Sequence, residues 1–281
     1  MTTLHLALSR FGFDSVNVVK VVVEASAGSI DIDIRDSFHR TPLHWAAACN
    51  CDAEVVQLLL SKGADVRAVD KLQETPLHLA VCNLFSSDAK VVQILLDNGA
   101  DVNAIEKHQR TPLHMAAEQN EKAEVISALI KAGADVVALD KFQKTPIHYA
   151  AGNYKDSLQV VNALLEAGAS VNLLDKDQRS PLFHAACAAI KATSICSTGR
   201  SKETIRALLN AGADPHIGQS PLDTKKVDSD VKLMIKEPYL IFVIFVGPLQ
   251  RVRPRNGILA LLLLLLLLLV LSLRSEFISE L

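Results

Sequence analysis

The chain has 281 residues, 29 basic and 31 acidic side chains, a formal net charge of −2 and an apolar fraction of 49%. That balance argues against a general surface for phosphate backbones, which needs clustered bases. Its five cysteines, at 49, 51, 82, 187 and 196, contain no C-x-x-C pair, which excludes a disulfide framework and the common zinc patterns and fits a reducing compartment.

The opening stretch, MTTLHLALSRFGFD, has no basic segment leading into an apolar one, so no secretory leader is expected. One phrase then recurs along the chain. It reads TTLHLA at Thr2, TPLHWA at Thr41, TPLHLA at Thr75, TPLHMA at Thr111, TPIHYA at Thr145 and SPLFHA at Ser180, with a worn SPLDTK at Ser220. The starts are 39, 34, 36, 34, 35 and 40 residues apart, a period typical of a solenoid. Thr or Ser suits a helix N-cap, and Pro at the first helical position loses nothing by lacking an N–H. The Leu enters the core, and the pairs Ala46–Ala47, Ala116–Ala117 and Ala150–Ala151 allow close helix approach.

A second stretch follows each phrase: EVVQLLL, KVVQILL, EVISALI, QVVNALL and ETIRALL. Apolar residues at i, i+1, i+3 and i+4 predict one buried helix face. Gly63, Gly99, Gly133, Gly168 and Gly212 then stop the helix where φ is usually positive.

With the closing phrases SKGADVR, DNGADVN, KAGADVV, EAGASVN and NAGADPH, residues 1–236 resemble an ankyrin-repeat array. The resemblance implies an all-α solenoid of antiparallel helix pairs with β-hairpin fingers between repeats. About six repeats begin near residues 2, 41, 75, 111, 145 and 180, with a truncated cap near 220. Each unit touches only its neighbours, so the ends must be modified. The last finger, GADPHIGQS, is four residues short, and Lys225, Lys226, Asp228, Asp230 and Lys232 give the cap a polar outer face.

From repeat Gly to the next Thr or Ser the distance is 12 at four successive junctions, so the fingers keep one length. Length varies between the helices, in SRFGFDSV, CNLFSSDA, GNYKDS and CAAIKATSICSTGRSK. These loops either tolerate insertion without consequence or carry function. Many ankyrin fingertips carry Gly where this chain has His39, Gln73, Gln109, Gln143 and Gln178. The turn must differ there or bear a small strain. Phe38, Leu72, His108, Phe142 and Asp177 come just before them. The large apolar ones serve as binding anchors or pack on the neighbouring finger. The tips carry eight bases and seven acids, +1 in all, which predicts a solvated mixed surface and no nucleic-acid partner.

Six of the nine histidines belong to the recurring phrase or its variant, where the resemblance implies a bond to the finger backbone. His184 is displaced by one position. No H-E-x-x-H, G-x-x-x-x-G-K-[ST] or G-x-S-x-G is present, and Cys49-x-Cys51 has no second pair nearby. No catalytic residue, metal site, cofactor or small-molecule substrate is expected. The resemblance implies a non-catalytic scaffold for a protein partner, through the family's variable surface positions. These are Phe38, Arg40, Leu72, Glu74, His108, Arg110, Phe142 and Lys144 at the tips, with Glu118, Gln119 and Asn153 near the inner-helix ends.

After residue 236 the composition changes to a linker, 237–257, an apolar helix, Ile258 to Leu273, and a polar tail, 274–281. At about 1.5 Å per residue the apolar run reaches roughly 24 Å, a little under a ~30 Å hydrocarbon core. Arg251, Arg253 and Arg255 precede it and Arg274 follows, which would keep the array on the cytosolic side. Two readings stand. The chain is an adaptor tethered by membrane insertion of this run, or a soluble cytosolic or nuclear ankyrin regulator whose near-homopolymer tail is an artefact of the gene model.

Overall fold

The computed structural model describes residues 31–48, 53–82, 89–119, 123–153, 157–191 and 195–219, together with scattered residues between 4 and 22. The chain divides into two units, Met1–Lys236 and Glu237–Leu281. The expected cap near 220, the linker, Ile258 to Leu273 and the polar tail lie outside the described residues. No helix among the described residues is long and apolar enough to cross a membrane.

Among the described residues ten helices with defined ends alternate between two layers. The inner layer holds α1 (Pro42–Ala48), α3 (Pro76–Val81), α5 (Pro112–Gln119), α7 (Pro146–Gly152) and α9 (Pro181–Lys191). The outer layer holds α2 (Ala53–Ser61), α4 (Lys90–Asp97), α6 (Ala123–Lys131), α8 (Leu158–Glu166) and α10 (Ile195–Asn210). Each inner helix packs on the next inner helix, each outer helix on the next outer one, and the two helices of a repeat on each other.

The phrase fixes each inner helix. Pro occupies the first helical position, and Leu43, Leu77, Leu113, Ile147 and Leu182 are fully buried. Each such side chain contributes roughly 1.5–3 kcal/mol by burial. Ala46, Ala116, Ala150 and Ala185 are also wholly buried, and nothing larger would let the layers approach as closely. At Thr75 and Thr145 the N-cap is a capping box in which His, rather than Glu or Gln, stands at the third helical position.

The outer helices end alike. Ala64 donates its N–H to the Leu59 carbonyl at 3.1 Å and Gly63 donates to Leu60 at 3.0 Å, a pairing repeated at Gly99, Gly133, Gly168 and Gly212. This is a Schellman motif, which places the glycine at φ near +90°.

Two expectations need correction. The fingers contain no strand among the described residues. Each closes through pairing of one residue pair, such as the Asp140 N–H on the Lys144 carbonyl at 3.0 Å, and accepts one backbone N–H from the next finger. No ladder can propagate from so few bonds. The long segment after Ser180 is also not a loop but an extension of both helices, with α9 running 11 residues and α10 running 16. Only residues 192–194 separate them.

The fingertip turn keeps its left-handed residue in spite of the missing glycine. His39, Gln73, Gln109, Gln143 and Gln178 have φ between 57° and 63°. The short last finger supplies Gly218 at the same place, φ 63°, where a Cβ would lie 2.3 Å from the Gln178 carbonyl oxygen. A left-handed residue with a side chain costs about 1 kcal/mol or somewhat more. Gln109→Gly and Gln143→Gly should therefore each raise stability by about 1 kcal/mol less the added unfolded-state entropy. Unaltered or lower thermal midpoints would show that these tips carry no strain.

Candidate protein-interaction surface

Each of the five full-length fingers is organised around one buried carboxylate. Asp140 Oδ1 accepts the N–H groups of Phe142 and Lys144, both at 2.8 Å. Asp36, Asp70 and Asp175 repeat this at 2.7–3.0 Å, and Glu106 repeats it at 2.8 and 3.3 Å. None of the five residues is more than 7% exposed. The expectation of a solvated mixed surface at the tips is thereby corrected. Five of its seven acids lie inside the turns, while Lys71, Lys107, Lys141 and Lys176 stand in solvent.

Most of these carboxylates take a further donor on the second oxygen, and the donor changes from repeat to repeat. Trp45 Nε1 donates to Asp36 at 3.0 Å, Tyr149 Oη to Asp140 at 2.6 Å and His184 Nε2 to Asp175 at 2.8 Å. These three side chains share one position on the inner helix. His184 thus occupies the Trp45 and Tyr149 position, and Phe183 takes the place of the phrase histidine. At the two repeats carrying Leu79 and Met115 there, an arginine substitutes. Arg40 Nε reaches Asp70 at 3.1 Å from the preceding finger, and Arg110 Nε reaches Glu106 Oε1 at 3.1 Å within its own.

The phrase histidines join neighbouring repeats. His44 Nδ1 accepts the Thr41 N–H at 3.1 Å, and its Nε2–H donates to the Glu74 carbonyl at 3.0 Å. His5, His78 and His114 make the matching bond to Arg40, Arg110 and Lys144 at 3.0–3.2 Å. His148 bonds Leu173 instead, in the one finger where Ser170 replaces the aspartate and Leu173 the alanine of its neighbours. Burial lowers the pKa of His44, His78 and His114. It brings His148 to about 4, assisted by His184. Burial also lowers His184 although Asp175 opposes it, so that contact is a hydrogen bond from neutral imidazole. For Asp175 burial acts upward, but the bonds from His184 and the Arg179 N–H outweigh it and its pKa falls.

These positions sort the candidate contact residues. Phe38, Leu72 and Phe142 are 61%, 44% and 46% exposed and are not buried by adjacent fingers. Arg40 lies 5.9 Å from the Phe38 ring centroid, and Lys141 lies 4.9 Å from that of Phe142 while also meeting His108 Nδ1. His108 is half-buried, and Lys144 lies 5.4 Å from the Tyr149 ring. Glu118 and Gln119 are exposed. Glu74 is buried, beside Arg40 at 3.6 Å. Arg110 is occupied by Glu106 and by Glu118, both at 3.1 Å, and Asn153 Nδ2 donates to the Glu118 carbonyl at 3.0 Å.

The sequence reading missed Ile105, Val137 and Leu139, which are 58%, 44% and 53% exposed. A signal was available for Val137. Asn103 bonds the Gly133 carbonyl and the Asp135 N–H, and Asn172 bonds Gly212 and Asp214 in the same way. In KAGADVV a valine stands where GADVN and GASVN carry that asparagine. Among the described residues no group of three or more His, Cys, Asp or Glu side chains is placed to hold a metal.

This repeated helix pair with its finger turn defines the class. Residues 4–106, 48–140, 86–175 and 113–219 match the family described as Ankyrin repeats (3 copies), and the chain belongs to it. Ankyrin repeats are non-catalytic modules of protein–protein interaction. Among relatives, the B-cell lymphoma 3 protein homolog of Mus musculus is 38% identical over 84 residues, 29% of this chain and 18% of that one. The match thus spans less than a fifth of that relative. The solved ankyrin repeat domain of Bcl-3, described as a unique member of the IkappaB protein family, has a TM-score of 0.63 at 27% identity. It covers 84% of this chain and 98% of its own.

Two outcomes follow from the site. Tyr149→Phe removes the donor at Asp140 Oδ2 and should cost about 1–3 kcal/mol in urea unfolding; a change under about 0.5 kcal/mol would mean water replaces it. The depressed histidines also make stability depend on pH. Unfolded imidazoles bind protons below about 6.5 while the buried ones resist, so stability is full above that pH and falls as pH drops toward the folded values. Urea midpoints that stay level from pH 7.5 to 5 would contradict this.

Proposed function

We propose that this chain is a non-catalytic scaffold that holds a protein partner against its fingertips and the adjoining ends of its inner helices. The observation that carries the reading is the exposure of Phe38, Leu72 and Phe142 on turns held rigid by buried carboxylates. Large apolar side chains presented on a pre-formed backbone lose little entropy on binding, as interface anchors require. Glu118 and Gln119 extend the surface at the inner-helix ends, while Arg40, Arg110, Glu74 and Asn153 hold the fingers in register. His108 and Lys144 contribute from their half-buried positions.

The likeness to the ankyrin domain of Bcl-3 supports a soluble cytosolic or nuclear regulator. The membrane tether rests only on the composition of Ile258 to Leu273.

The joint substitution Phe38→Ala, Leu72→Ala and Phe142→Ala tests the scaffold. All three sites are exposed, so the fold should survive. Recovery of the proteins co-purifying with the native chain should fall by about tenfold or more. Undiminished recovery would remove the fingertips from the contact surface.

A further inference from the structure

Exposure alternates along the arms leading to the third and fourth fingertips. In the third and fourth fingers Asn103, Ile105 and Lys107, and Val137, Leu139 and Lys141, are exposed, while the residues between them are half-buried or buried. A period of two sends these side chains out along one edge. The fingers are tied at both ends of the arm. At the tips the Lys107 N–H donates to the Leu72 carbonyl at 2.9 Å, and the Lys141 N–H donates to the His108 carbonyl at 3.0 Å. At the base Arg67 Nε reaches the Gly99 carbonyl at 3.0 Å and Asn103 Nδ2 the Gly133 carbonyl at 3.2 Å. Matching residues of successive fingers therefore stand in columns. Val69, Ile105 and Leu139 form an apolar column, widened by Val137, and Lys71, Lys107, Lys141 and Lys176 form a basic column beside it.

A third column, Asp65, Asp101 and Asp135, lies on the far side. Each of those carboxylates already accepts a backbone N–H two residues on, at 2.9 Å. Lys71 and Lys107 meet no carboxylate among the described residues, because the acids nearest the tips are turned inward. The edge thus offers Lys71 and Lys107, which have no carboxylate partner among the described residues, next to an apolar stripe that a phosphate backbone has no apolar groups to cover.

We infer that this edge binds an extended acidic peptide in which apolar residues alternate with Asp or Glu. Its apolar side chains lie on Ile105, Val137 and Leu139, and its carboxylates face Lys71, Lys107 and Lys176. The inference rests on the scaffold reading but concerns the side of the fingers, not the tips carrying Phe38, Leu72 and Phe142.

The test is selection of a random 16-residue display library on the full chain, followed by fluorescence anisotropy with the selected peptides. The inference expects sequences rich in Asp or Glu and in Leu, Ile or Phe, with binding that weakens as salt rises. Lys71→Glu with Lys107→Glu, and separately Ile105→Ser with Leu139→Ser, should each weaken it by about tenfold or more. Native thermal midpoints would confirm that these exposed changes leave the fold intact. A basic or uncharged consensus, no selected sequence, or unchanged binding by both pairs would overturn the inference. So would tighter binding of a single-stranded oligonucleotide of equal length, or self-association of the chain abolished by the same pairs. If the tip triple alone abolished binding, this inference would fail and the scaffold would stand; if the column pairs alone did, the tips would fail and this inference would stand.

Discussion

A carboxylate buried beneath each of the five full-length fingertips is the contact on which the surface of this array depends. Water could hydrate the tip N–H groups equally well, but it would not hold them in one geometry. By accepting two of them, Asp36, Asp70, Glu106, Asp140 and Asp175 close the turn and keep a left-handed residue at its apex. The same bonds turn the next two side chains outward at Asp70 and Asp140, where they are Lys71 and Leu72, and Lys141 and Phe142. Interior acids thus decide which groups the exterior shows.

The second oxygen of these carboxylates explains why neighbouring repeats tolerate different residues. An inner-helix ring supplies the donor at Trp45, Tyr149 and His184, and an arginine takes over the carboxylate where Leu79 and Met115 have none to give. The requirement is for a further donor to the carboxylate, not for a residue type. For the same reason Arg40 and Arg110 belong more to the framework than to the contact surface.

Histidine performs the complementary task along the stack. Its Nδ1 accepts from the start of its own helix, and its Nε2–H donates to the next finger, so one neutral ring sets the spacing of two repeats. A nearest-neighbour fold can reuse one such device at successive junctions, as His5, His44, His78 and His114 do. Protonation would fill the acceptor site, which is why burial and geometry both favour the neutral form.

The periodic residues carried most of the fold by themselves. Repeat starts, N-caps, the alternation of inner and outer helices and the glycine stops are local properties, set by hydrogen-bond closure and by burial of every third or fourth side chain. The repeat phase assigns Phe38, Leu72 and Phe142 to the tip, but whether they face solvent or pack on the neighbouring finger was left open until their exposure was seen. The fate of the charges was not legible. Asp36 and Asp177 both count among the tip acids, yet one is buried under backbone N–H groups and the other is exposed. Nor did periodicity reveal that Leu139 and Ile105 emerge beside lysines, or that Glu74, Arg110 and Asn153 are already engaged. Burial and pairing depend on groups about thirty residues away in the next repeat. The sequence alone therefore determined the repeating unit, while only stacking of the units decided which of its charged and apolar groups remain free to meet a partner.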